Sequence, residues 1–190
     1  IYFILIMLSL IVELYEHIFT FLKVKELVSI RKLSRTIDKF IRKTRWRHYI
    51  DIENMSQFEG FSRHNFIHLR TTPREITDND LKLLEKCEFI RFETAFIRRF
   101  TGEGFKYLKK CKSIKLVNCS HVLSDKLKYL ENCDIIELDS SIRDMSDEIF
   151  KYLQNYSKIT IKHCARITGE GFKYLTSCRH ITINRCSRFN

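Results

Sequence analysis

The chain has little of what interrupts regular structure: one proline and five glycines in 190 residues. Pro/Gly-rich linkers and collagen-like repeats are excluded, and the architecture has to be made from regular elements joined by short turns. It also lacks a long apolar run. The amino-terminal stretch Ile1 to Val12 is interrupted at Glu13, short of the roughly 18 residues a membrane-spanning helix needs. No basic segment and no small-residue cleavage site accompany it, so a secretory signal is not expected. Acidic residues are the scarcer charge, 23 against 34 Lys+Arg, for a net charge of +11. A polyanion partner therefore enters as a hypothesis, since charge speaks to association rather than to fold. At this length one ordinary domain fits, or a small module joined to an elongated one.

What is present is repetition. Thr101 to Leu108 (TGEGFKYL) recurs letter for letter at Thr168 to Leu175. The leucine that closes this segment belongs to a column Leu84, Leu108, Leu130, Leu153, Leu175, spaced by 24, 22, 23 and 22 residues. Three residues on stand Cys87, Cys111, Cys133, Tyr156 and Cys178, and then the apolar pairs Ile90/Phe92, Ile114/Leu116, Ile136/Leu138, Ile159/Ile161 and Ile181/Ile183. A last column runs Ala95, Cys119, Ser141, Cys164, Cys186. Apolar residues three and four apart predict a short helix and the alternating pairs predict a strand, so each unit is one helix and one strand.

All seven cysteines fall in these two columns, which predicts a packing role in the interior and reduced thiols. There is no CxxC pair, and separations of eight place partners on different parts of a unit, so neither a metal nor another cofactor is expected. A catalytic thiol at Cys164 beside His163 is disfavoured because neighbours on a strand point to opposite faces. Reduced thiols suggest a cytoplasmic or nuclear protein.

One strand and one helix per unit of this length is the leucine-rich-repeat pattern, and the closing cysteine resembles the cysteine-containing subclass of those repeats. The resemblance spans residues 66–190: about five units, with a partial one ahead of them at Phe66 to Leu69. It implies an α/β fold in which units stack into a short right-handed solenoid, with a parallel sheet on the concave side and helices on the convex side. Target-reading side chains are then those that alternate with the buried strand positions: Arg91, Glu93, Lys115, Glu137, Asp139, Thr160, Lys162, Thr182 and Asn184, with His68, Arg70 and Val117 in the same set. They mix an acidic centre with basic flanks, which suits a protein target better than a uniform polyanion. The array stops directly after a strand, so a longer array or association through that end is expected.

Residues 8–50 follow a different rule. Leu10, Ile11, Leu14, Ile18, Phe21 and Leu22 form one helical stripe; Leu27, Ile30, Leu33, Ile37, Phe40 and Ile41 form another. Residues 1–7 are set apart as an apolar stretch, and 51–65 as a connector. The letters Leu10-Ile11-Val12-Glu13-Leu14, Ile18-Phe19-Thr20-Phe21-Leu22, Glu26-Leu27, Leu33-Ser34-Arg35 and Trp46 resemble an F-box, with Ile11 where that family has proline and Ile37 where it has tryptophan. The order, F-box before repeats, is that of F-box/leucine-rich-repeat proteins, and the low-proline, Ile/Lys/Phe-rich usage resembles proteins of AT-rich protists and their giant DNA viruses. The resemblance implies a non-catalytic substrate-recognition subunit of an SCF-type cullin-RING ubiquitin ligase. Leu10, Ile11, Leu14, Ile18 and Leu22 would dock the Skp-family adaptor, and the repeats would hold an unidentified target protein. An interaction module whose helices merely cap the repeats, with no ubiquitin role, is the alternative. A nucleic-acid binder using Arg31, Arg35, Lys39 and Arg42 is the third, disfavoured because no stacking platform accompanies the charges. No membrane partner is implied.

Overall fold

Alternating strand letters and short intervening segments produce one sheet. The computed structural model describes residues 76–93, 99–139, 142 and 145–188, the strand backbones at 50–52 and 66–70, and single residues between 14 and 39. Seven strands lie side by side in chain order, every neighbouring pair parallel: β1 (Ile50–Ile52), β2 (Phe66–Arg70), β3 (Phe89–Glu93), β4 (Ser113–Val117), β5 (Ile135–Asp139), β6 (Lys158–Lys162) and β7 (His180–Asn184). The fold mixes a parallel sheet with helical turns. β1 was not expected; its three residues straddle the boundary drawn at residue 50, too few to show a period.

Each later strand is preceded by a 3-10 segment: Asp78–Leu84, Glu103–Tyr107, Ser124–Leu130, Asp147–Tyr152 and Glu170–Tyr174. We number the five segment-and-strand pairs units one to five. Sequence spacing predicts a short helix here, and the tighter 3-10 form has a physical reason. Neighbouring strands stand only ~4.8 Å apart, whereas an α-helix with its side chains needs ~10 Å, so the narrower coil lets units stay in register.

The column arithmetic becomes the register directly: Ile90, Ile114, Ile136, Ile159 and Ile181 are successive partners, and so are Phe92, Leu116, Leu138, Ile161 and Ile183. The first four of each set are buried together with Leu84, Leu108, Leu130 and Leu153. Phe92, Phe100 and Phe105 fill the same layer, ring centroids 5.1 and 5.6 Å apart for neighbours. Ahead of each of β3 to β6 a single carbonyl takes two successive N–H groups of the next unit. Glu88 accepts from Lys112 (2.7 Å) and Ser113 (3.0 Å), and Lys112 accepts from Asp134 (2.9 Å) and Ile135 (3.1 Å). In unit five, beyond which the described residues place no further unit, the pattern opens and Ile181 is 38% exposed.

The repeated TGEG letters are explained by a clamp between units. Asp78 of unit one accepts from Thr101 N–H (3.1 Å), Thr101 Oγ1 (2.8 Å), Gly102 N–H (3.0 Å) and Gly104 N–H (3.0 Å) of unit two. Asp147 of unit four accepts from Thr168, Gly169 and Gly171 of unit five in the same way. The first glycine of each motif has φ of +95° or +100°, a conformation that costs side-chain-bearing residues energy. The second lies against the carbonyl of the clamping aspartate, where a Cβ would collide.

The cysteine reading needs correction. Cys87, Cys111, Cys119, Cys133 and Cys164 are buried, but Cys178 and Cys186 are only partly so, because they belong to unit five. Nor are all seven reduced: Cys164 and Cys186 form a disulfide, with Cα atoms 4.6 Å apart. Stacking brings equal positions of adjacent units within the reach a disulfide requires, so two cysteines 22 residues apart in one column meet. The inference of compartment from uniformly reduced thiols loses its premise. Without reductant, a thiol reagent is expected to modify Cys178 first, with Cys87, Cys111, Cys119 and Cys133 protected and Cys164 and Cys186 silent; rapid labelling of Cys111 would contradict the assignment. Among the described residues no helix is long and apolar enough to cross a membrane.

Candidate functional site

On a strand whose alternate residues are buried, the remaining side chains must emerge on the other face. That face carries two rows set by the register: Arg91, Lys115, Glu137, Thr160, Thr182, and Glu93, Val117, Asp139, Lys162, Asn184. Every target-reading residue expected from β3 onward is therefore on one surface. All are partly buried except Thr182 and Asn184, which are exposed on unit five. His68 and Arg70 are in the matching rows of β2, next to Arg91 and Glu93.

The charges on this face satisfy one another. Glu137 Oε1 accepts from Lys115 Nζ at 2.7 Å and from Lys162 Nζ at 2.6 Å. Burial pushes the Glu137 pKa up, but the hydrogen bonds from the two lysines outweigh it and hold the carboxyl below its usual range. The same contact raises Lys162. Arg91 pairs with Glu93 at 3.0 Å, while its Nε is buried without an acceptor. The groups are about a quarter to a third exposed, and ion pairs so placed contribute only ~0–1 kcal/mol each to stability. They set a pattern of charge rather than hold the fold.

A third group escaped the sequence reading. His163 Nδ1 lies 2.8 Å from Asp139 Oδ1, and Arg185 Nη1 lies 3.2 Å from His163 Nε2. Arginine only donates, so Nε2 accepts and the proton sits on Nδ1, donated to Asp139. His163 and Arg185 directly follow strands and have φ of 53° and 55°, in the left-handed region. That turn carries them beside the sheet rows instead of continuing the alternation. Cys164 next to His163 is buried and disulfide-bonded, consistent with the two pointing apart.

Two of the interior thiols, Cys87 and Cys111, are chemically quiet. Burial pushes Cys87 up to about 12, and Cys111 is raised by its contact with Cys133, sulfurs 4.0 Å apart, together with burial. A thiol must ionise to act as nucleophile or metal ligand, and these are held protonated. Among the described residues no group of three or more His, Cys, Asp or Glu side chains is placed to hold a metal ion.

Of the expected adaptor-docking residues, Leu14 and Ile18 have helical backbone and are 59% and 44% exposed. Leu10, Ile11 and Leu22 lie outside the described residues, as do Arg31 and Arg42 of the basic stretch. Ile30 and Ile37 of the second stripe pack against the buried core. No protein-family model and no curated protein matches the chain.

Proposed function

We propose that the chain is the substrate-recognition subunit of an SCF-type cullin-RING ubiquitin ligase. Its amino-terminal F-box-like module takes the Skp-family adaptor, and a leucine-rich-repeat solenoid holds the target protein on the open sheet face. The chain itself performs no chemistry in this reading. The observation that carries it is that the described residues of the first amino-terminal stripe, Leu14 and Ile18, are exposed, whereas those of the second divide: Ile30 and Ile37 pack against the core and Leu33 is 78% exposed. A helical cap turns its apolar residues toward the repeats, as Ile30 and Ile37 do. Leu14 and Ile18 instead keep about half their surface open, which is what a helix offering an apolar face to a partner requires. The sheet face supports the second half of the proposal: alternating, mutually paired charges discriminate among protein surfaces and offer little to a polyanion.

Substituting Leu14→Asp together with Ile18→Asp tests this. Buried apolar anchors contribute ~2 kcal/mol each, so the pair is expected to weaken binding of a purified Skp-family adaptor by about a hundredfold or more. Both residues are already exposed, so the circular dichroism spectrum should not change. Undiminished adaptor binding by the folded double variant refutes the F-box assignment.

A further inference from the structure

We propose that the 3-10 side of units one and two holds a binding site for a compact soluble anion carrying two or more phosphate groups. This is independent of the adaptor reading and uses the surface opposite the target-reading face. A hollow of about 390 Å³ is lined by Lys82, Lys86, Lys106, Lys109, Lys110, Tyr107 and Glu85, within the range of small-ligand sites. Five lysines against one glutamate give this hollow a net charge of +4. Lys82 and Lys106 flank the Tyr107 ring, their Nζ atoms 5.1 and 5.4 Å from its centroid.

The same lysine column continues through Lys128, Lys151 and Lys173, and comparison along it localises the site. Lys128 is paired with Asp125 three residues earlier, and Lys151 with Glu148. In unit one the equivalent position is Asn79, which brings no charge. In unit two it is Glu103, but that carboxylate is taken by Lys126 of unit three at 2.8 Å, which holds its pKa below the usual range. Among the described residues none of the five lysines of the hollow is in an ion pair. Beyond the anchoring leucines, units one and two bring Lys86, Lys109 and Lys110, whereas units three to five bring Glu131-Asn132, Gln154-Asn155 and Thr176-Ser177. The second row of lysines is thus confined to units one and two; Lys173 of unit five, also in no ion pair among the described residues, has no such row beside it. A nucleic-acid strand tracking the array would need that row continued.

Uncompensated ammonium groups so close repel one another, and a ligand that neutralises several at once relieves that cost. One carboxylate is too little charge, while a di- or triphosphate matches the excess, and lysine serves phosphate as a compact, reorientable point charge.

The test is titration calorimetry of the full chain with inorganic tripolyphosphate at low ionic strength. One-to-one binding that weakens with added salt is expected, and Lys86→Glu with Lys110→Glu should weaken it by about tenfold or more. The control pair Lys151→Glu with Lys173→Glu, in the same column, should leave it unchanged. Equal loss in the two double variants would overturn the proposal by showing diffuse attraction. So would orthophosphate binding as tightly as tripolyphosphate, or a single-stranded oligonucleotide whose affinity keeps rising with length and which displaces tripolyphosphate. Vesicles of phosphatidylcholine carrying a bisphosphorylated inositol lipid distinguish a membrane headgroup from a soluble anion. Tripolyphosphate should release any chain they capture, and capture that it cannot reverse also overturns the proposal.

Discussion

Gly104→Ala is expected to destabilise the array by about 3 kcal/mol or more, although it adds a single methyl group. The added Cβ would sit against the carbonyl oxygen of Asp78 and 2.9 Å from its Cα, all backbone atoms that cannot swing aside. Relief requires units one and two to separate, which breaks the four hydrogen bonds to Asp78. Because repeat stability is a sum of unit terms and nearest-neighbour interfaces, losing this interface detaches unit one from the rest. Gly102→Ala is a milder comparison: its obstacles are the Lys126 and Val122 side chains, though its φ of +95° disfavours any side chain. Urea denaturation of both variants should rank Gly104→Ala as clearly the worse. Equal midpoints for wild type and Gly104→Ala would mean that the packed interface is not as described.

Asp147→Ala should cost about 2–4 kcal/mol, because one carboxylate satisfies four donors on unit five and charged acceptors make the stronger hydrogen bonds. Burial raises the Asp147 pKa, but the Thr168 hydroxyl and the N–H groups of Thr168, Gly171 and Gly169 outweigh that and hold it below the usual carboxylate range. A folded-state pKa below the unfolded one means that the contribution is complete above roughly pH 4 and is lost as pH falls through the lowered value. Asp147→Asn keeps one acceptor oxygen, so it should lose less at neutral pH and flatten part of the acid limb. An acid limb identical to wild type in Asp147→Asn would show that the clamp does not titrate with folding.

How far the sequence reveals this arrangement depends on whether an interaction is periodic. Ile90/Phe92 and their counterparts state the strand register outright, since a period of two within a period of about 22 admits one stacking. The residues of the open face follow from the same alternation. Asp78 and Asp147 were not legible as clamps, because their partners are backbone N–H groups that face them only once Gly102 and Gly169 adopt positive φ. The available signal is an aspartate six residues before the anchoring leucine of one unit followed by Thr-Gly-x-Gly in the next, which occurs twice. Pairing of Glu137 with both Lys115 and Lys162 depends on side-chain reach across two different rows. Alternation alone makes His163 one more strand residue, whereas its left-handed turn places it beside Asp139 and Arg185. The Cys164–Cys186 bond is not legible in a column pattern that reports burial alone; it follows from the short distance between adjacent units.

The proposed separation of an adaptor-docking stripe from a target-reading sheet is most directly tested by hydrogen exchange of the full chain with and without a saturating Skp-family adaptor. Exchange should slow in peptides spanning residues 10–22 and stay unchanged in those covering β3 to β6. Protection centred on the sheet strands, or none anywhere, would contradict the account.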